Sequence, residues 1–324
     1  MGKQIDRRKL LKIAGASLGF GALYRVSPLL GSTESGRALA ASLGRSNGEK
    51  PLPFSLVQLS DTHVGFSGPP NPLGTRAFEE AVARINGMAE QPDLVLFTGD
   101  LTHDSEKEEE HAGRMKLFRE ISSRLRAKKI FHVPGEHDAG LDEGRLFREN
   151  FGDTFYSFDY KGVHFIALDN VSRGKPALGA DQLAWLRRDL SRFPATAPIV
   201  VFTHRPLFDL KPEWEWFTND GPEALKLLQP YENVTVLYGH IHRRDLQVVE
   251  GARHCAARSL IFAFPDPSSG SPKQPEPFLS SEPFRGLGLR RIEEPQAQVD
   301  DLELSSQQFA GLVGIQQFLK KGVA

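Results

Sequence analysis

Cysteine is nearly absent from this sequence: 324 residues contain one, Cys255. That excludes an internal disulfide framework and any zinc site built on several thiolates. A metal, if one binds, must be held by His, Asp, Glu or Asn. Long apolar runs are missing too: with 40% hydrophobic and 25% charged residues, the composition is globular and excludes a disordered chain, a collagen-like repeat and a multi-span membrane protein. Net charge is equally scant. Forty basic against 41 acidic residues leave a formal charge of −1, which argues against a broadly basic face for a nucleic-acid polymer. Cys255 itself reads as a small core residue.

Residues 1 to 40 stand apart. Arg7 and Arg8 precede Leu10, Leu11 and Lys12, and a Gly-rich apolar stretch follows from Ile13 to Leu23. Arg37-Ala-Leu-Ala-Ala41 supplies a small-x-small pattern with cleavage after Ala40. The segment resembles a bacterial twin-arginine (Tat) leader, which implies recognition by the Tat export machinery and a periplasmic or otherwise exported protein, folded with its cofactor before export. An uncut amphipathic helix or anchor is the alternative. The apolar stretch is too short to span a bilayer and Arg25 ends it early, so no stable membrane span is expected in the mature form. Residues 1 to 40 hold seven Lys or Arg and two Asp or Glu; the remaining 284 residues then carry 33 basic against 39 acidic, a charge of −6. The near-neutral total belongs to the leader, and the acidic remainder further disfavours large polyanionic substrates.

After a linker at 41–53, one domain is expected over 54–305, with a C-terminal tail at 306–324 that has room for a short helix. No internal repeat and no second linker-bounded domain is visible. Short runs of Val, Ile, Leu and Phe read as buried strands at 55–59, 94–97, 130–133, 199–202 and 234–237. Helical periods lie between them at 75–89, 105–127, 140–150, 180–193 and 221–229, with Ser105 as an N-cap and Glu108 three residues on. Lys161-Gly162 separates two aromatic-rich runs as a hairpin, and a similar pair is expected near 246–249 and 258–264. The Pro- and Ser-rich stretch 264–283 reads as an exposed loop. The fold class is therefore α/β with mixed strand directions.

Polar residues crowd the ends of those strands. Asp61-Thr-His63 follows the first, Gly99-Asp100 with His103 and Asp104 the second, and Gly135-Glu-His-Asp138 the third. Thr203-His204 follows the fourth and Gly239-His-Ile-His242 the fifth. Ligands of open α/β sheets bind beyond the carboxyl ends of strands, so loops far apart in sequence converge there. Carboxylates and imidazoles gathered at one place repel or lie idle unless a cation holds them, and this donor set suits zinc, iron or manganese. A carboxylate shared by two ions makes a two-metal hydrolytic centre.

The ordered set DTH, GD, GEHD, TH and GHIH resembles the calcineurin-like metallophosphoesterase family, whose pattern is DxH, GD, GNH followed by Asp or Glu, a lone His, then GHxH. It covers Asp61 to His242. The resemblance implies a four-layer α/β/β/α sandwich of mixed sheets with a dinuclear metal site at the strand C-terminal ends. It implies Asp61, His63 and His242 on the first ion, Glu136, His204 and His240 on the second, and Asp100 bridging both. It also implies a phosphoesterase that cleaves small phosphomonoesters or phosphodiesters with a hydroxide activated by two divalent or mixed-valence Fe, Mn or Zn ions. His137 falls where the family has a histidine near the leaving group, and Asp138 is expected to accept a hydrogen bond from its other ring nitrogen.

Glu136 departs from the pattern, which has Asn. A carboxylate there should favour a hard or trivalent ion, lower its Lewis acidity and repel a dianionic monoester more than a monoanionic diester. It also keeps open a rival class, a non-catalytic periplasmic protein that holds the centre for metal storage or sensing.

Other polar residues have duller readings. His103 and Asp104 are helix-capping residues or contacts of the ligands or substrate; His254 is a buried structural histidine or approaches the centre from a neighbouring strand. Trp214 and Trp216, with Phe217, line a substrate pocket or pack their loop against the domain.

Overall fold

The computed structural model describes residues 51–294 and 298–305. The expected leader, most of the expected linker and the expected C-terminal tail lie outside the described residues.

The chain first lays down β1 (Phe54–Leu59), α1 (Arg76–Gly87), β2 (Leu94–Thr98), α2 (Glu108–Ser122) and β3 (Lys129–Val133). Two short helices follow, α3 (Glu136–Ala139) and α4 (Arg145–Phe151). The hairpin β4 (Tyr156–Tyr160) and β5 (Val163–Ala167) leads to α5 (Ala180–Leu190), β6 (Pro198–Phe202), α6 (Gly221–Leu228) and β7 (Asn233–Tyr238). The last elements among the described residues are β8 (Asp245–Val249), β9 (Ala252–Ala256), β10 (Gly288–Glu294) and β11 (Gln298–Glu303).

Two mixed sheets result, in the orders β11-β10-β1-β2-β3 and β4-β5-β6-β7-β9-β8. Strand alternation explains their stacking. In β1 and β2, Phe54, Leu56, Leu94 and Leu96 face the second sheet, where they meet Phe165, Val200, Phe202, Leu237 and Cys255. The intervening Val57, Leu59, Val95 and Phe97 face Phe78, Ala81 and Ile85 of α1 and Phe118 of α2. On the other side Ile199, Val201, Val234 and Val236 pack against Leu186 and Leu190 of α5 and Leu225 and Leu228 of α6. Strands buried on both faces must be apolar throughout, which is why they read as continuous runs rather than alternating ones. The architecture is a four-layer α/β/β/α sandwich, and Cys255 is a core residue between the sheets.

Three elements differ from expectation. Residues 140–150 do not form one helix, because Gly140 and Gly144 interrupt it and Gly144 sits at φ 76°. Ser105 is not the cap of α2: its hydroxyl accepts from Lys107 N at 3.3 Å and donates to Glu110 Oε2 at 3.1 Å, and the helix starts at Glu108 with Lys107 at the cap position. The partner of β8 is 252–256, not 258–264. The apolar residues of 258–264 instead cross the strand ends, with Leu260 N bonded to the carbonyls of Ser60 and Asp61 at 3.2 Å.

Candidate metal centre

The loops after β1, β2, β3, β6 and β7 meet at one end of the sandwich. Backbone bonds lash them together: Asp61 N to Gly99 O at 3.0 Å, His63 N to Asp100 O at 2.9 Å and Gly239 N to His204 O at 2.9 Å. The local conformation is costly. Asp61, His63, Asp100, His240 and His242 all have positive φ, between 41° and 65°. Non-glycine residues adopt this region rarely and at a cost of order 1–3 kcal/mol each, and it clusters where side chains must be aimed at a common point. Gly135 and Gly239 solve the matching steric problem, since a Cβ at Gly135 would strike the Asp100 carboxylate and one at Gly239 the Ser60 hydroxyl.

The side chains form two buried donor sets, Asp61, His63, Asp100 and His242 in one and Glu136, His204 and His240 in the other, and a third group of His63, His103 and His137 shares His63 with the first at its more exposed edge. Within the two buried sets all but Glu136 are at least nine-tenths buried. Asp100 lies between the sets, its Oδ2 3.4 Å from His63 Nε2 and 3.3 Å from His204 Nε2. Its Oδ1 accepts from His137 N at 3.0 Å, which fixes the carboxylate. His204 Nδ1 donates to Thr98 O at 2.8 Å and His242 Nδ1 to Phe262 O at 3.0 Å. A carbonyl can only accept, so Nδ1 carries a proton in each ring and Nε2 is the atom aimed inward, with a lone pair there whenever the ring is neutral, the arrangement that orients a metal-binding imidazole.

This structure fits metal. His204 Nε2 and Glu136 Oε2 approach to 2.8 Å, yet neither has a hydrogen-bond partner, nor do Asp61 Oδ2 and His240 Nε2. Lone pairs facing each other at that distance demand positive charge between them. The ionisation equilibria say the same. Burial above all, with Asp100 and Glu136 adding to it and His204 opposing, pushes the Asp61 carboxyl up to about 7. Burial opposes charge on His204, but Asp100 and Glu136 outweigh it and raise its pKa well above the usual imidazole range. Burial holds His242 down to about 3 and lowers His63 and His240 too. Those three rings are neutral donors.

The calcineurin-like phosphoesterase family profile matches residues 54–244, more than half of the chain. The chain belongs to this family. Among its relatives is the probable glycerophosphodiester phosphodiesterase GpdQ of Arcobacter nitrofigilis, 32% identical over 203 residues, 58% of this chain and 71% of that protein. A 3′,5′-cyclic-nucleotide phosphodiesterase of a Nostoc species is 24% identical over 67% of this chain and 82% of its own length. The serine/threonine-protein phosphatase CPPED1 of Homo sapiens is 27% identical over 64% and 75%. A dimetal phosphatase from Danio rerio has the same fold, with a TM-score of 0.50 at 15% identity over 65% of this chain and 89% of that one. The chain is a metallophosphoesterase, a hydrolase of phosphoric ester bonds.

Within this metallophosphoesterase, several expected contacts take another form. The His137 ring does not meet Asp138. Its Nδ1 bonds the carboxylate of Asp104, and Arg114 Nη1 pins the carbonyls of His103 and Asp104 at 2.9 and 2.6 Å. Burial opposes charge on His137, but Asp100 and the Asp104 bond outweigh it and push its pKa up to about 9. Asp138 is fully buried and accepts from Leu101 N, Thr102 N, Thr102 Oγ1 and Gly135 N at 2.8–2.9 Å. It braces the loops after β2 and β3. His103 and Asp104 cap no helix: His103 stacks on His137 with centroids 4.7 Å apart, and its Nδ1 lies 3.3 Å from that of His63.

Trp216 is fully buried against Trp214, Tyr238 and Ile241, so it packs the loop and offers no face to a substrate. His254 is buried on β9 with its ring 5.0 Å from Phe208, on the outer face rather than at the strand ends. The aromatic rings at the centre are Phe262 and Phe264, 4.6 and 5.1 Å from His242, and Phe66, 5.2 Å from His103. They arrive on 258–264, which crosses the strand ends instead of pairing with β8, and on the loop after β1. Arg205, next to His204 in sequence, also reaches the centre: its Nη1 lies 3.5 Å from Glu136 Oε1.

Proposed function

We propose that this protein hydrolyses small phosphodiesters or phosphomonoesters with two metal ions, one held by Asp61, His63 and His242, the other by Glu136, His204 and His240, and Asp100 shared. Asp100 carries the reading, because a buried carboxylate oxygen that reaches histidines of both donor sets is the feature two ions require and one does not. When bound, such ions supply Lewis acidity toward the phosphoryl oxygens and water made acidic enough to attack at neutral pH. The chain's own residues do the rest. His137, at the partly exposed edge and hydrogen-bonded to Asp104, is placed to give a proton to the departing oxygen. Phe66 and Phe262, which pack on each other and on His103 and His242, offer apolar surface for an ester group.

Iron, manganese and zinc all suit this donor set. Diesters are the first substrates to examine, since GpdQ and the Nostoc relative are both named for phosphodiesters. A non-catalytic metal-binding role has less support, because the two buried donor sets are complete without His137 and Asp104. Elemental analysis of protein purified in each metal, with turnover of p-nitrophenyl phosphate and of its bis-ester, tests the proposal. Two ions per chain with metal-dependent turnover is the expected result; two ions with no turnover of any phosphoester would favour the storage role. We also propose Tat export to the periplasm, which Arg7→Lys with Arg8→Lys and cell fractionation would test: a variant still exported removes that proposal.

A further inference from the structure

We infer that Arg205 sets the charge of the second ion's site by neutralising Glu136, so that a carboxylate serves there in place of the neutral amide of the family pattern. This rests on the two-ion reading above and concerns residues of this chain alone.

The Glu136 carboxylate is divided between two tasks. Oε2 faces His204 Nε2 at 2.8 Å, toward the ion's place, while Oε1 is shared by His240 Nδ1 at 2.7 Å and Arg205 Nη1 at 3.5 Å. Arg205 is not a mobile surface residue that reached the site by accident. It is 8% exposed, and Asn170, itself fully buried, clamps its backbone by taking Arg205 N at 3.3 Å and donating to Arg205 O at 2.9 Å. The guanidinium Nη2 donates to Glu215 O, and its buried Nε has no hydrogen-bond partner. Lys273 lies nearby on an exposed stretch, and its ammonium is committed to Trp214 O at 2.7 Å.

Burying a guanidinium costs more than it returns unless an opposite charge meets it, and Glu136 is the carboxylate it meets. The consequence is electrostatic. An uncompensated Glu136 would add a full negative charge to the second ion's ligands, whereas the Glu136–Arg205 pair adds nearly none at a distance. The expected bias against dianionic monoesters is thereby relieved, and Arg205 becomes a positioning residue that tunes ion affinity and ester preference.

A charge cycle tests this by titrating Mn(II) alone into metal-free mature protein by calorimetry, with kcat/KM for p-nitrophenyl phosphate and its bis-ester read alongside. Relative to wild type, Glu136→Asn should weaken the second Mn(II) by about tenfold or more and Arg205→Met should tighten it by a similar factor. The double variant should return to within about threefold of wild type. Arg205→Met should also raise the diester-to-monoester ratio by about tenfold, and Arg205→Lys, which keeps the charge, should restore both readouts. A merely structural Arg205 would weaken binding when changed to Met and gain nothing from removal of Glu136; that outcome, or an unshifted second affinity, overturns the inference. If Arg205→Met does not fold, Arg205→Gln carries the same arm. Wild type that binds fewer than two ions would instead defeat the two-ion reading, which keeps the two failures distinct.

Discussion

His137 and Asp104 are joined through the imidazole Nδ1 and a carboxylate oxygen, although they follow different strands and stand 33 residues apart. The adjacent Asp138, which the sequence order offers as the natural partner, is turned into the protein. The pairing decides which of the two carboxylates acts through the histidine and which through the fold.

Substitutions at the two aspartates should therefore separate. Asp104→Asn should lower kcat by about tenfold to a hundredfold with little change in thermal stability, because it removes the hydrogen-bonded carboxylate that orients His137 and, with Asp100, holds it charged. His137→Ala should cost about 10²–10⁴ in kcat with both ions retained. Asp138→Ala should act on the fold instead: four buried donors lose their acceptor, at about 1–3 kcal/mol for each left unpaired. Kinetics, metal content and melting curves on the three proteins would decide it, and loss of metal in His137→Ala would show that the histidine holds an ion.

Gly135→Ala probes the close approach of two loops. Gly135 has φ −104°, which alanine adopts freely, so the cost is contact rather than conformation. The added methyl meets the Asp100 carboxylate, which cannot retreat without giving up its bond from His137 N. We expect at least one ion per chain to be lost and turnover to fall by about a hundredfold, since an ångström of misplacement at a reacting centre costs that much. Full metal content by mass spectrometry would contradict this.

The strand-end residues were legible in the sequence because buried strands are unbroken apolar runs, and a polar residue just past such a run has few reasons to be there. Their convergence followed from the α/β pattern. Strands β10 and β11 were not legible: Arg290, Arg291, Glu293 and Asp301 hide the alternation, and Arg290 is buried only because Asp301 pairs with it at 2.8 Å. Arg205 and Phe262 were not legible for a related reason. Each acquires its role from a partner supplied by another loop, and nothing in its own neighbourhood marks it.

Chelation should destabilise the fold as well as stop turnover. The strained φ angles at Asp61, His63, Asp100, His240 and His242 and the buried carboxylates beside them are tolerated at lower cost when cations tie them together. Each ion present at about 100 times its Kd adds about 2.7 kcal/mol. Removal with EDTA should lower Tm by several degrees, and Mn(II), Zn(II) or Fe(II) should restore it; an unchanged Tm after verified metal loss would uncouple the centre from the fold.

Acid should weaken the protein through histidines far from phosphate chemistry as well. His132 is stacked on Phe97, 5.3 Å between centroids, and burial holds its pKa down to about 3; burial holds His254 down to about 4. Unfolded, both titrate near 6.5. Below that value the unfolded chain binds protons that the native state refuses, so stability is whole above pH 6.5 and is lost as pH falls toward the native values. The slope is up to about 1.4 kcal/mol per pH unit for each histidine. His132→Phe and His254→Leu should flatten this dependence, seen as a smaller drop in urea midpoint between pH 7 and pH 5 at matched metal occupancy. Equal drops in wild type and both variants would show that these two histidines do not carry the acid lability, because removing their proton uptake would then have changed nothing.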